Sequence, residues 1–148
     1  MQEAWMRYAL ELAEQAGRLN EIPIGAVVVK DGEIIGRGFN RPITASDPSA
    51  HAEIEALRDA ALALGNYRLS GTSMVVTVEP CTMCAGALIH ARIERLIFGA
   101  REPRAGAICS AAQVLDNPNL NHRVEVVEGV LANECSKLMS DFFQKRRH

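Results

Sequence analysis

The chain has 148 residues, 48% hydrophobic and 23% charged, with a net charge of −2. That is an ordinary globular balance for one domain, enough to bury about 70% of its unfolded surface. No apolar run reaches the roughly 18 residues of a membrane span, and the bulk charge does not announce nucleic-acid binding.

Residues 3–19 read as a helix, because Trp5, Met6, Ala9, Leu12, Ala13 and Ala16 recur at helical spacing. Glu3 and Arg7 interrupt the first ten residues, which do not resemble the apolar stretch of a secretion signal. Gly25 to Lys30 reads as a strand, Asp31-Gly32 as a two-residue hairpin turn, and Glu33 to Phe39 as the returning antiparallel strand. Ser46-Asp47-Pro48-Ser49 is a loop and capping segment before an Ala- and Leu-rich helix over 51–64. A third strand is expected over 73–78, a helix over 81–91 and a fourth strand over 95–99. Residues 101–121 form a long loop with a short helix at 111–115; a fifth strand at 124–128 and a helix over 132–145 complete the chain. The alternation implies right-handed crossovers between parallel strands. The expected fold is α/β: a three-layer α/β/α sandwich on a five-stranded mixed sheet, forming one domain over residues 1–148. No internal repeat or linker interrupts it.

Two short motifs carry chemistry: His51-Ala52-Glu53 and Pro80-Cys81-Thr82-Met83-Cys84. Zinc takes Cys sulfur and His nitrogen in a tetrahedral shell, and catalytic sites use three protein ligands and leave the fourth position to water. His51, Cys81 and Cys84 make three. Glu53 is the carboxylate placed to take a proton from water and hand it on. Hydrolytic removal of an amino group needs both functions together. Residues two apart point to different faces inside a helix, so His51 and Glu53 converge only at a helix start. Cys81 and Cys84, three apart, share a face in the first turn of the next helix, and Pro80 suits its start. The positive end of a helix also lowers a thiol's pKa.

Other readings of these residues exist. A closed structural zinc would need a fourth ligand, for which His90, Cys109, His122 and Cys135 are the candidates. Cys109 and Cys135 read more readily as small buried hydrophobes, and Glu55 as a solvated charge. Four cysteines with one Cys-x-x-Cys and no secretion signal point to a reducing cytoplasm and to metal, not to disulfides. Basic clusters exist at Arg92, Arg95, Arg101 and Arg104 and in the tail Lys145-Arg146-Arg147-His148, which reads equally well as a solvated end.

The H-x-E and P-C-x-x-C pair resembles the zinc-dependent nucleoside and nucleobase deaminases. Over nearly its whole length the chain is similar to the bacterial tRNA adenosine deaminases, which convert the wobble adenosine of an anticodon to inosine. Besides the zinc motifs, the likeness rests on Ile22-Pro23-Ile24-Gly25-Ala26-Val27, Gly38-Phe39-Asn40-Arg41-Pro42, Asn66-Tyr67-Arg68-Leu69, Phe98-Gly99-Ala100-Arg101, Asn121-His122-Arg123-Val124 and Asp141-Phe142-Phe143. The resemblance implies a cytidine-deaminase-like fold, one zinc ion per chain, a homodimer and a tRNA anticodon stem-loop as partner. It implies that His51, Cys81 and Cys84 hold the metal, that Glu53 shuttles the proton, and that Asn40 contacts the flipped base. Ile24 and Ala52 belong to the same substrate-binding set. Glu102, Arg104, His122, Phe143 and Arg146 are the candidates for gripping the flanking nucleotides, although Phe143 fits equally well as a core aromatic.

The chain departs from the family pattern in the long loop. Glu102 stands where an Asp is usual, Arg104 where a Lys is common, and Cys109 where a Gly is more usual. Two other functions share parts of this signature. One is a deaminase of a free base or nucleoside such as guanine or cytosine, since substrate choice lies in pocket shape and flanking contacts. The other is a non-catalytic zinc module, against which Glu53 argues.

Overall fold

The computed structural model describes residues 1–146; the last two positions of the basic tail, Arg147 and His148, lie outside them. Helix α1 (Gln2–Arg18) lays Met6, Ala9, Leu12, Ala13 and Ala16 on one buried face. Strands β1 (Gly25–Lys30) and β2 (Glu33–Phe39) form an antiparallel hairpin. Its turn residues Asp31 and Gly32 both have positive φ, 50° and 79°, the conformation that matches the twist of the flanking strands. A four-residue helix α2 (Pro42–Ala45) follows, with Pro42 in its first turn. Then come α3 (Ala52–Leu64), β3 (Thr72–Val78), α4 (Thr82–His90), β4 (Arg95–Ala100), β5 (Glu125–Glu128) and α5 (Ala132–Arg146). The short helix expected at 111–115 is a single 3-10 turn at Val114–Asp116, because the chain there is held by backbone bonds to residues 106 and 107 instead of its own i−4 ladder.

The sheet order is β2-β1-β3-β4-β5. β1 is antiparallel to both neighbours, and β3, β4 and β5 run parallel. The side-chain period of two divides the apolar strand residues between two cores. Ala26, Val28, Met74, Val76, Leu96 and Phe98 face α3 and α4. Val27, Val29, Val75 and Ile97 face the other way, toward α1 and Cys135 of α5. Each fully buried Leu, Ile or Phe contributes about 1.5–3 kcal/mol, so both helical layers are tied firmly to the sheet.

These directions collect loops at one end of the sheet. β3 and β4 finish there at Val78 and Ala100, β1 begins there at Gly25, and β2 finishes there at Phe39. Helices α3 and α4 begin there as well. His51 is the N-cap of α3 and Cys81 the N-cap of α4, each extended (φ −75°, ψ 154° and φ −77°, ψ 177°). Both helices therefore start one residue later than the sequence suggested, and the two ligand residues stand just outside them.

Helix α3 can reach this position only by packing close on β2. A Cβ added at Gly38 would sit 2.6 Å from Ala56 N and 2.8 Å from Glu55 Cβ. Gly38→Ala should therefore push α3 off the sheet and destabilise the protein by about 1–3 kcal/mol, the usual cost of overpacking. A lower urea midpoint with an unchanged slope is the expected result.

Candidate active site

His51 Nδ1 lies 3.5 Å from Cys81 Sγ and 3.6 Å from Cys84 Sγ. The three ligand atoms are all within 4.8 Å of one another. A tetrahedral zinc with its usual bond lengths would place N and S ligands about 3.5 Å apart. The donors thus already occupy three corners of a shell for a soft divalent ion. Among the described residues no fourth His, Cys or carboxylate joins the group. That leaves out His90, Cys109, His122 and Cys135, so the site is open, with three protein ligands.

The Cys84 thiol and amide donate to the Cys81 sulfur, and His51 adds a further bond, holding the Cys81 pKa down at about 3. Cys84 is pushed upward, first by sharing its proton with Cys81 and then by burial. The hydrogen bond with Cys81 raises His51. A metal ion competes for the sites these protons occupy. Glu53 is 4% exposed and sits in the first turn of α3, beside Cys84. Burial pushes its carboxyl up to about 7, where a group can both accept and return a proton at neutral pH.

A cleft of about 870 Å³ opens over this group. That is within the range of small-molecule sites. His51, Glu53 and Cys81 form its floor, and Ile24, Asn40 and Val78 one wall. Asn40 is 6% exposed, its amide N–H donating to Ile24 O at 3.0 Å. Its side-chain amide makes no hydrogen bond among the described residues, which leaves it free for a ligand. The opposite wall is the turn carrying Arg101, Glu102 and Arg104, and α5 adds Met139 and Phe143 at the rim. Phe143 is 40% exposed, so it is not a core aromatic.

The fold therefore gathers Ile24, Asn40, His51, Glu53, Cys81, Glu102, Arg104 and Phe143 around one cavity, with Cys84 beneath. Three expected contacts are placed otherwise. His122 bonds the carbonyl of Ile93 at 2.7 Å. β5 runs parallel to β4, so the segment before β5 lies at the far end of the sheet from the cleft. Arg146 donates to Asn20 O at 3.0 Å and lies over the Phe142 ring, away from the cleft lining. The Ala52 side chain is buried in the core, so only its backbone is left to offer a substrate. Cys109 is only half-buried, its sulfur 3.8 Å from Glu128 Oε2, whereas Cys135 is the small core hydrophobe expected.

The sequence reading missed Glu79. It is 4% exposed, and burial alone would raise its pKa, yet bonds from Ser110, Cys109 and Glu102 outweigh that and hold it at about 2. The available signal was a charge directly after an apolar strand, where an unpaired carboxylate would be costly.

Comparison with known proteins agrees with this geometry. The MafB19-like deaminase family matches residues 1–147. A tRNA-specific adenosine deaminase of Haemophilus influenzae is 57% identical over 146 residues, covering 98% of this chain and 84% of that protein. A solved tRNA:A34 deaminase structure superposes with a TM-score of 0.89 at 44% identity, over 91% of this chain and 98% of that one. A guanine deaminase from Nitrosomonas europaea superposes with a TM-score of 0.83 at 27% identity, over 95% of this chain and 83% of that one. The sandwich is thus a cytidine-deaminase-like fold, and the chain belongs to the family of the bacterial tRNA-specific adenosine deaminases.

Proposed function

We propose that this chain hydrolyses adenosine to inosine at the wobble position of a tRNA anticodon, with one zinc ion on His51, Cys81 and Cys84. The observation that carries the proposal is a three-ligand group, open on the cleft side, with the buried Glu53 next to it and outside it. When bound, zinc supplies Lewis acidity, which makes water a nucleophile at neutral pH. Glu53 takes the proton released by the attacking water and delivers it to the purine ring nitrogen. It then takes the proton of the new C6 hydroxyl and passes it to the departing amine, which leaves as ammonia. The C6–N bond breaks, a C6–O bond forms, and the products are inosine and ammonia. Asn40 and Ile24 orient the base from one wall, and the N–H of Ala52, in the first turn of α3, is free of the helix ladder to bind it.

An adenine held in a stacked loop must leave its neighbours to reach the floor of the cleft. Loop nucleotides are already partly unstacked, so this costs less than in a duplex. Phe143 offers a face for a neighbouring base, and Arg104 a charge for a phosphate. Glu102 belongs to the same wall. A symmetric homodimer fits the exposure of Met83 on α4, where Gly86 has open space above it. Residues 1–148 act as one catalytic domain. No described helix is long and apolar enough to cross a membrane. A tRNA substrate and free thiols are in keeping with a cytoplasmic enzyme.

The competing reading is a deaminase of a free base, motivated by the guanine deaminase that shares the fold. An arginine tRNA with an ACG anticodon, its isolated stem-loop, free adenosine and free guanine separate the two. Inosine should form at the wobble position of both RNAs, with little turnover of either small molecule and weaker RNA binding as salt rises. Fast deamination of guanine with unmodified RNAs would replace this reading.

Two substitutions test the floor of the cleft. Cys84→Ala should leave purified protein without zinc and without activity, as measured by elemental analysis. Glu53→Ala should fold and keep its zinc, while turnover falls by about 10²–10⁴, the scale of a general acid–base group. Near-normal turnover in that variant would remove Glu53 from proton transfer.

A further inference from the structure

Glu79 directly follows β3 and precedes Pro80 and Cys81, yet its carboxylate serves the opposite wall of the cleft. Oε1 accepts from Glu102 N at 3.1 Å and Ser110 Oγ at 2.5 Å. Oε2 accepts from the amides of Ile108, Cys109 and Ser110 at 3.1, 2.7 and 2.9 Å. A carboxylate offers about four lone-pair sites. Five donors saturate it, so it has no capacity left to move a proton for the substrate. The segment 102–110 has no strand or helix of its own to take its amides. Buried backbone N–H groups need acceptors, and one side chain serves four of them here.

The loop closes tightly around that side chain. A Cβ at Gly106 would lie 2.5 Å from both Glu79 Oε1 and Glu102 O. Gly106 N donates to Glu102 O, and Ala107 N to Pro80 O, each at 2.8 Å. The Glu102 carboxylate turns back onto Ala105 N and caps the same turn. Arg101 is fixed from the other side by a two-pronged pair with Glu128, 2.9 and 2.8 Å. Arg101 and Glu102, so held, and the neighbouring Arg104 form one wall of the cleft.

We propose that Glu79 is a positioning residue for substrate binding: its carboxylate fixes the 101–105 wall and hence the grip on nucleotides beside the reacting base, without touching the reacting atoms. This rests on the tRNA reading for the identity of the substrate. Glu79→Gln is the informative variant. It keeps the size of the side chain and one acceptor for the three amides on Oε2, and sets an NH₂ against Glu102 N–H. With zinc content unchanged, KM for the anticodon stem-loop should rise about tenfold, the scale of one charged hydrogen bond. The kcat at saturation should stay within about threefold, the signature of lost binding rather than lost chemistry. Amide hydrogen exchange should accelerate at Glu102 and not in β3.

Ser110→Ala removes only the hydroxyl bond to Oε1. It should raise KM in the same direction by less, and it decides the matter if Glu79→Gln does not fold. An unchanged KM in a folded Glu79→Gln, a loss of kcat at constant KM, or unaltered exchange at Glu102 would overturn the proposal; so would an unchanged KM for Ser110→Ala if only that variant folds. Wild-type enzyme is assayed alongside. If it makes no inosine in the RNA, the substrate reading fails, and exchange at Glu102 alone decides the role of Glu79.

Discussion

Two helix starts must bring His51, Cys81 and Cys84 within reach of one another, and the architecture serves that constraint. A helix leaves its first amides unsatisfied and carries partial positive charge there. His51 and Cys81 occupy the two N-cap positions, and Cys84 lies one turn into α4. The helices converge because β3 and β4 run parallel and β1 antiparallel beside them. Gly36 and Gly38 let α3 approach β2 at backbone distance: a Cβ at Gly36 would lie 2.8 Å from Ala60 N. Without that approach His51 could not hold its distance to the two sulfurs.

Buried carboxylates organise both walls above the metal group. Glu21, 2% exposed, accepts from the Thr44 amide and hydroxyl at 2.6 and 2.7 Å. It thereby anchors α2, two residues beyond Asn40. Glu79 does the same for the turn at 101–105. Each charge lies where desolvation would be severe if it were unpaired, and each is surrounded by donors from a loop that lacks its own ladder. Glu53 is the contrast. It lies deeper and has few donors, so burial moves its pKa up, whereas the donors around Glu79 move it down. One residue type thus takes opposite charge states according to its depth and the number of N–H groups that face it.

This division explains how one fold accommodates different amines. The groups at the floor, His51, Cys81, Cys84 and Glu53, suit hydrolytic deamination in general. The walls and rim are loops and the last helix, and they decide whether a free base or a nucleotide within RNA fits. The superposition with a guanine deaminase at 27% identity and with a tRNA:A34 deaminase at 44% belongs to that pattern.

Much of this was legible in the sequence. Apolar periodicity located every strand and each long helix to within a residue or two, because a half-buried element must repeat with its own geometry. The ligand group was legible because zinc demands particular atoms at particular spacings. The turn at Asp31-Gly32 was legible because few residues tolerate its φ values. What the sequence could not decide was which distant segments share an end of the sheet. His122 sits in a block typical of the family, yet strand direction carries it to the far end, and Arg146 turns onto Asn20. Nothing local marks Glu79 as an anchor, because the loop 102–110 that folds around it is distant in the chain. Local spacing records what a residue can bind. Only strand order and chain direction bring the partners to it, because those are set by packing summed over the whole sheet and not by any short run of residues.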